Sequence, residues 1–398
     1  MKMSKHWLRL TSVPLALVGL LAAAATAGSE PTQRATGSVP TSSIALPLIA
    51  VVCSTPSNCV AIGTPIYGHT LGPLAVRTTN GGATWAMTPS LLGVKTLYAM
   101  ACASARTCIA LGANPRGNDQ RGAVLRTQDG GITWSLTPPL PKGVGDLADV
   151  SCPTKSFCMA VGRKSSNFGA VALTSNNAGR SWRHVAVPKG ETQLSLVSCT
   201  TRRYCIAEGE VEAVIGAPYG GDRLSIITTA NGGTAWKQGS IETNSNAPLG
   251  IPYFSGLTCA TATHCFLVGS ATPGDGSPSG MIASTSNSGA SWTFQAVPPA
   301  TTGLSAIACW SATQCAVAGG GIEGRGGIMQ ELLSTSDGGQ TWASREVPAS
   351  ALGLEGISCP TATSCIAVGF NLSATDPTAE PAAIVVSGDG GVTWKAPS

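Results

Sequence analysis

The chain has 398 residues, and only 11% of them are charged, under half the share of an average soluble domain. Its net charge is +4, and without Lys2, Lys5 and Arg9 near the start 21 basic residues face 20 acidic ones. Nothing in that balance points to a basic nucleic-acid groove or a surface built for anionic membranes.

The first element in chain order is a leader. Lys2, Lys5 and Arg9 precede an apolar stretch from about Val13 to Ala25, and Ala25-Thr26-Ala27 supplies a small-residue cleavage pattern. The stretch is short for a membrane-spanning helix, so residues 1–27 read as a signal peptide rather than an uncleaved anchor, and export is expected. No cysteine stands near the cut for a lipid anchor. Residues 28–45 are rich in Ser, Thr and Pro and read as a flexible linker.

The fourteen cysteines then fall in seven pairs. They are Cys53 with Cys59, Cys102 with Cys108, Cys152 with Cys158, Cys199 with Cys205, Cys259 with Cys265, Cys309 with Cys315, and Cys359 with Cys365, always with five residues between partners. Successive first members are 49, 50, 47, 60, 50 and 50 residues apart, a period that makes this a repeat protein. One unit, LEGISCPTATSCIAVG at 354–369, has an apolar segment ending in cysteine, a Pro/Thr/Ala/Ser turn, and a second apolar segment opening with cysteine. This is a β-hairpin pattern, and the hairpin brings the two cysteines face to face within disulfide reach. In an exported protein such an even count at fixed spacing implies bridges. Zinc is the rival, but it favours shorter Cys spacing and convergent ligands, and none of the four histidines recurs in the repeat. No metal or other cofactor is expected.

Downstream of each pair sits a second motif, [ST]-x-[DN]-x-G-x-[ST]-W. Its Asn/Asp and Trp positions are Asn80 and Trp85, Asp129 and Trp134, Asn177 and Trp182, Asn231 and Trp236, Asn287 and Trp292, Asp337 and Trp342, and Asp389 and Trp394. Asp or Asn folds its side chain onto its own downstream backbone, Gly supplies positive φ, and Trp brings a large apolar face to the start of the next strand. The fourth copy has Ala235 in the hydroxyl position, so a looser turn is expected there.

These residues resemble the Asp-box, or BNR, repeat of the sialidase-like β-propellers, a group that includes secreted bacterial repeat proteins and the photosystem II assembly-factor family. The resemblance covers about residues 46–398. It implies that each box joins the third and fourth strands of a blade and is structural, so its Asp and Asn residues are neither catalytic acids nor calcium ligands.

Each repeat yields four short strands, and a sheet of that size hides its faces only by stacking around an axis. The expected fold is therefore all-β: a seven-bladed β-propeller of four-stranded antiparallel blades, with one disulfide and one Asp-box per blade. The blades fall at about 47–95, 96–145, 146–192, 193–252, 253–302, 303–352 and 353–398. Because little chain follows Trp394, part of the segment before Leu46 is a candidate to pair with blade seven and complete the ring.

Strand order puts the cysteine hairpins and box turns on one face, and the loops between second and third strands, with the connections between blades, on the other. The second face varies and is where recognition is expected. The intervals from second cysteine to box are 21, 21, 19, 26, 22, 22 and 24, and from box Trp to next cysteine 17, 18, 17, 23, 17 and 17. Both longest lie in the fourth repeat. They carry Glu208, Glu210, Glu212, Tyr219, Asp222 and Arg223, then Asn244, Asn246, Pro252, Tyr253 and Phe254, the candidate ligand-binding patch. The alternative is that alternating Glu residues mark the solvent face of a strand.

No catalytic residues are singled out. A sialidase would clamp a carboxylate with three arginines and use a Tyr/Glu nucleophile and an Asp acid, but the Arg-Ile-Pro motif of that family is missing and its propeller has six blades. Related xyloglucanases place a carboxylate pair between two propellers, and this chain holds one. The expected function is a secreted or envelope-held, monomeric, non-catalytic module that binds a protein or glycan on its variable-loop face, without nucleic acid and without membrane insertion of the mature domain. A glycoside hydrolase of sialidase-like type is the alternative.

Overall fold

The computed structural model describes residues 33–34, 38–39, 44–64, 72–88, 91, 93–114, 122–165, 169–212, 223–242, 244–247, 251–272, 278–322, 328–349, 351–371 and 381–397. Every regular element among them is a strand. Blade one shows the unit: Leu48–Cys53, Cys59–Gly63, Leu74–Thr78 and Trp85–Thr88 run antiparallel in sequence order, from the axis outward. The second strand is buried along its whole length because neighbouring blades cover both of its faces, which is why CVAIG reads as an unbroken apolar run. Blades one to six follow this four-strand plan. In the seventh the fourth strand shrinks to one bridge between Val386 and Lys395.

All seven cysteine pairs are bonded as their spacing requires: Cys53 to Cys59, Cys102 to Cys108, Cys152 to Cys158, Cys199 to Cys205, Cys259 to Cys265, Cys309 to Cys315, and Cys359 to Cys365. Their Cα atoms lie 3.9–4.1 Å apart. The separation is tighter than the usual disulfide range because the partners sit directly opposite in the ladder, as Cys53 does to Cys59. The two partners differ in depth. Cys59, Cys108, Cys158, Cys205, Cys265, Cys315 and Cys365 open the enclosed second strands and are at most 2% exposed, whereas the first partners, Cys199 apart, are half-buried. None of the fourteen lines the axial cavity described below.

Beside each hairpin lies the box turn of its own blade. The Gly81 N–H donates to Ser57 O at 3.1 Å, Gly130 to Arg106 O at 2.9 Å, and Gly338 to Thr313 O at 2.9 Å. Hairpin and box turn thus share one face of the disc.

The box turns are closed by their own side chains. In the second copy, Thr127 Oγ1 donates to Asp129 Oδ1 at 2.8 Å and accepts the Gly131 N–H at 2.9 Å, while Asp129 Oδ1 also accepts the Thr133 N–H at 2.9 Å. Where the centre is Asp, its other oxygen accepts the hydroxyl of the residue just before the Trp (Thr133, 2.6 Å). Where it is Asn, the amide donates instead (Asn80 Nδ2 to Thr84 Oγ1, 3.0 Å). The hydroxyl serves either centre, so Asp and Asn interchange. The fourth copy lacks that bond, yet its Ala235 N–H still reaches Asn231 Oδ1 at 2.8 Å.

A second regularity lies near the axis. In every innermost strand the register slips four residues before the first cysteine, leaving Ile49, Tyr98, Ala148, Ser195, Ser255, Ser305 and Glu355 unpaired. These are β-bulges, which turn a side chain out of the pleat. Opposite each, four residues after the second cysteine, stands a glycine. A Cβ there would meet a backbone oxygen of the innermost strand: 2.0 Å from Tyr253 O at Gly269, 1.9 Å from Gly353 O at Gly369. The bulge folds one strand onto its neighbour, and only glycine leaves room.

Seven apolar clusters hold the ring, one between each consecutive pair of blades, including blades seven and one. The box Trp of each blade packs in the cluster it shares with the preceding blade. Trp85 packs with Ile366 and Ile384 of blade seven, and Trp342 meets Phe266 of blade five edge to face at 6.1 Å. Serine hydroxyls add polar struts between innermost strands, accepting the N–H of Cys53 (Ser358), Cys199 (Ser151) and Cys259 (Ser198) at 3.0–3.1 Å.

Closure meets the sequence expectation only in part. Among the described residues the segment before Leu46 forms strand pairs with blades one and two, Ser38–Val39 along the fourth strand of blade one and Gln33–Arg34 along that of blade two. Among the described residues its only backbone link to blade seven is Ile44 O accepting the Ala382 N–H at 3.0 Å. There the ring closes by face-to-face packing, because Trp85, Ile44 and Leu46 bury as deeply as any internal contact.

Candidate binding site

The seven innermost strands leave a cavity of about 730 Å³ on the propeller axis. All seven bulge residues line it, so the bulges set the chemistry of the hole: one aliphatic side chain (Ile49), one aromatic (Tyr98), Ala148, three serines and one acid, Glu355. Each innermost strand starts on the face opposite the disulfides, so residues two places earlier lie nearer that mouth. There stand Asp146, Gln193 and Tyr253. Tyr253 is 69% exposed and Tyr98 46%, two of only three large apolar side chains so exposed among the described residues.

Four ionisable groups besides the tyrosines line the wall. Asp146 is paired with Arg163 at 2.6 Å. Asp149 has its carboxylate enclosed and accepts the N–H groups of Val150 (2.7 Å) and of Val197 in the next blade (2.8 Å). Burial nevertheless dominates and pushes its carboxyl up to about 6, so it titrates just below neutrality. Burial also lifts Glu355, and no hydrogen bond or ion pair from a described residue reaches that carboxyl.

The structure separates the patch expected in the fourth repeat. Glu208 lies in the second strand of blade four, 5% exposed, opposite Leu196 and Ile226. Its counterparts, three residues after the second cysteine, are Ile62, Leu111, Val161, Val268, Ala318 and Val368, all buried. Glu208 is thus an acid in an interblade core position. Its Oε2 has no partner, and desolvation, helped by the nearby Glu210 charge, raises its carboxyl well above the ordinary range. Alternation along a strand placed it inward, where a solvent-facing stripe was the other reading. Glu210 is half-buried and Glu212 exposed, at the end of the same strand. Arg223 opens the third strand, paired with Val211. Tyr219 and Asp222 lie outside the described residues.

The second long interval of that repeat is also structural. Ser240–Glu242 runs parallel to Ser291–Thr293 as a fifth strand on blade five, and Asn244 Nδ2 donates to Phe294 O at 2.9 Å. Of the expected patch, Tyr253 and Phe254 line the axial cavity, and the other described members do not. The residues that sequence reasoning missed, Tyr98, Asp149 and Glu355, are scattered over three repeats. The signal that would have found them is their fixed offset of three or four residues before the first cysteine.

Arg77 and Arg126 lie in the third strands of blades one and two, opposite Val60 and Ile109 on the disulfide side. Arg126 Nε donates to Ala178 O of the next blade at 2.7 Å, and burial lowers its pKa, with Arg180 adding to the effect. Among the described residues no group of three His, Cys, Asp or Glu is placed to hold a metal, and no helix is long and apolar enough to cross a membrane. The seven disulfides fit an oxidising compartment.

No protein-family model and no curated protein matches the sequence. Among solved structures the chain is similar to Ycf48 bound to a D1 peptide, with 15% identity over 91% of this chain and 99% of that one, at a TM-score of 0.55. It is similar at 8% identity to the β-propeller domain of the trilobed protease from Pyrococcus furiosus, described as having an open velcro topology (89% and 98% covered, TM-score 0.54). A GH74 enzyme from Niastella koreensis matches at 13% identity with a TM-score of 0.38, over 88% of this chain and 65% of that one. At these identities the likeness to the first two is one of fold, and it agrees with the repeats: the chain is an all-β propeller of four-stranded antiparallel blades, one disulfide to each.

Proposed function

We propose that this chain is a non-catalytic binding module of the cell exterior, an Asp-box propeller exported by its leader, that holds a segment of a partner protein at the axial mouth opposite the disulfides. The observation that carries the reading is the cavity itself. Seven bulges aim side chains into one hole, and Tyr98 and Tyr253 stand exposed on its wall. Exposed tyrosines beside a concave, rigid scaffold are what a recognition site needs, since they offer contact area at little entropic cost. The fold neighbour Ycf48, itself seen with a D1 peptide, supports a protein segment over a glycan as the occupant.

The test is a pull-down from the native cell surface with the mature chain and with Tyr253→Ala. Loss of an anchor aromatic should weaken capture by about tenfold or more while Tm stays put, because Tyr253 packs little on its own fold. Equal capture by both proteins overturns the axial site. An arylglycoside screen that includes a sialoside should show no turnover, and turnover would favour the glycosidase reading instead.

A further inference from the structure

The wall of the axial cavity is unbalanced in charge. Asp146, Asp149 and Glu355 face one cation, Arg163. Arg163 is engaged with Asp146, and Asp149 has a backbone N–H on each oxygen, so these groups are already answered within the fold. Glu355 is not. It is the one carboxylate in the ring of bulge residues, flanked by Ser305 of blade six and Ile49 of blade one, neither of which can neutralise it. The next residue, Gly356, has no room for a side chain: a Cβ would lie 2.9 Å from Ala50 Cα of blade one. The strand is therefore clamped against its neighbour, and the bulge holds Glu355 on the cavity wall.

On this basis, and resting on the binding function proposed above, we propose that the axial cavity receives a cationic side chain, a lysine or arginine of the bound protein segment, with Glu355 as its anion. A carboxylate partly stripped of water and left unpaired costs the fold free energy that an arriving cation recovers. The two exposed tyrosines lining the same cavity suit a cation as well, since the face of an aromatic ring attracts positive charge. An acidic or phosphorylated segment would bring like charge against Glu355 and be disfavoured.

An array of random capped dodecapeptides, probed with the full mature chain, reads this preference whatever the native partner is. The peptides retained should be enriched in Lys or Arg by about fivefold over the array, the size of effect a charge-assisted contact supports. Glu355→Gln should return the composition to that of the array. Glu355→Asp should keep the enrichment with weaker retention. Glu346→Gln, an exposed acid away from the cavity, makes the same change in net charge and should leave the enrichment intact. Melting temperatures matching the wild type show that the variants are folded. Retained peptides that are neutral or acidic, enrichment that survives Glu355→Gln, or no retained peptide at all would each overturn the proposal. The broader binding reading is judged apart. If Tyr253→Ala loses the native partner while Glu355→Gln keeps it, the axial site stands and the cationic occupant falls.

Discussion

At the scale of single residues, Glu208 departs furthest from its repeat. Six blades put an aliphatic side chain at its position and this one puts an acid with an unpartnered oxygen, in the same enclosed space. Because burial holds the folded carboxyl above its unfolded value, the penalty is largest at neutral pH and fades as pH falls toward about 4, where the unfolded chain also protonates. Glu208→Val should therefore raise stability at pH 7 by about 1–2 kcal/mol, with a smaller gain at pH 4. Thermal melts at the two pH values check it, and a variant that is less stable at pH 7 would show that the acid has a partner the fold depends on. The repeat made this position legible as second cysteine plus three. What it did not reveal was the direction of the side chain, since an alternating acid stripe reads the same whether its inner face meets water or a neighbouring blade.

At the scale of the element, hairpins and box turns were readable because each is local: the cysteines fix one, and the hydroxyl–carboxylate–glycine spacing fixes the other. The innermost bulges were not. Their cause is a glycine in the adjacent strand whose missing Cβ admits a carbonyl oxygen, a contact that no window along one strand contains. The box turns allow a test of the local chemistry. The hydrogen bond from the Thr341 hydroxyl, with those from backbone N–H groups, holds Asp337 down to about 2; in Asp389 burial pushes the carboxyl up, but the bonds from Thr393, Ser387 and Val392 together outweigh it and bring it to about 2 as well. A depressed folded carboxyl stabilises fully above the unfolded value near 4 and loses that contribution as pH falls toward 2. Four repeats make the equivalent turn with Asn. The double variant Asp337→Asn with Asp389→Asn should thus melt near the wild type at pH 7 and show a flatter decline of Tm between pH 4 and 2. An unchanged decline would mean that acid sensitivity resides elsewhere, for example in Asp129, whose pKa its turn also lowers.

At the scale of the whole molecule the open question for a sequence reader was closure, and the answer lies in packing. A repeat protein is stabilised by its interfaces, and a ring has one more interface than an open stack of the same units. Here that extra contact joins blades seven and one with no shared strand among the described residues. It rests on Trp85, fully buried against Ile366 and Ile384, on Ile44 and Leu46, and on the Ser358–Cys53 strut. Trp292 is equally buried, but at the interface of blades four and five, where the chain itself passes from one blade to the next. Truncating either to Ala removes a similar apolar area and should cost about 3–5 kcal/mol. The consequences should differ. With Trp85→Ala the seam has no covalent tether to hold the blades in register, so amide exchange should accelerate selectively in Cys59–Gly63 and Cys365–Phe370, the second strands on either side of it. With Trp292→Ala the connection between blades keeps the gap closed, and the loss should appear as a lower global Tm without a local opening. If the seam strands of Trp85→Ala stay as protected as their equivalents in the other blades, closure depends on something other than this cluster, and the outer pairing of Gln33–Arg34 and Ser38–Val39 becomes the next element to remove.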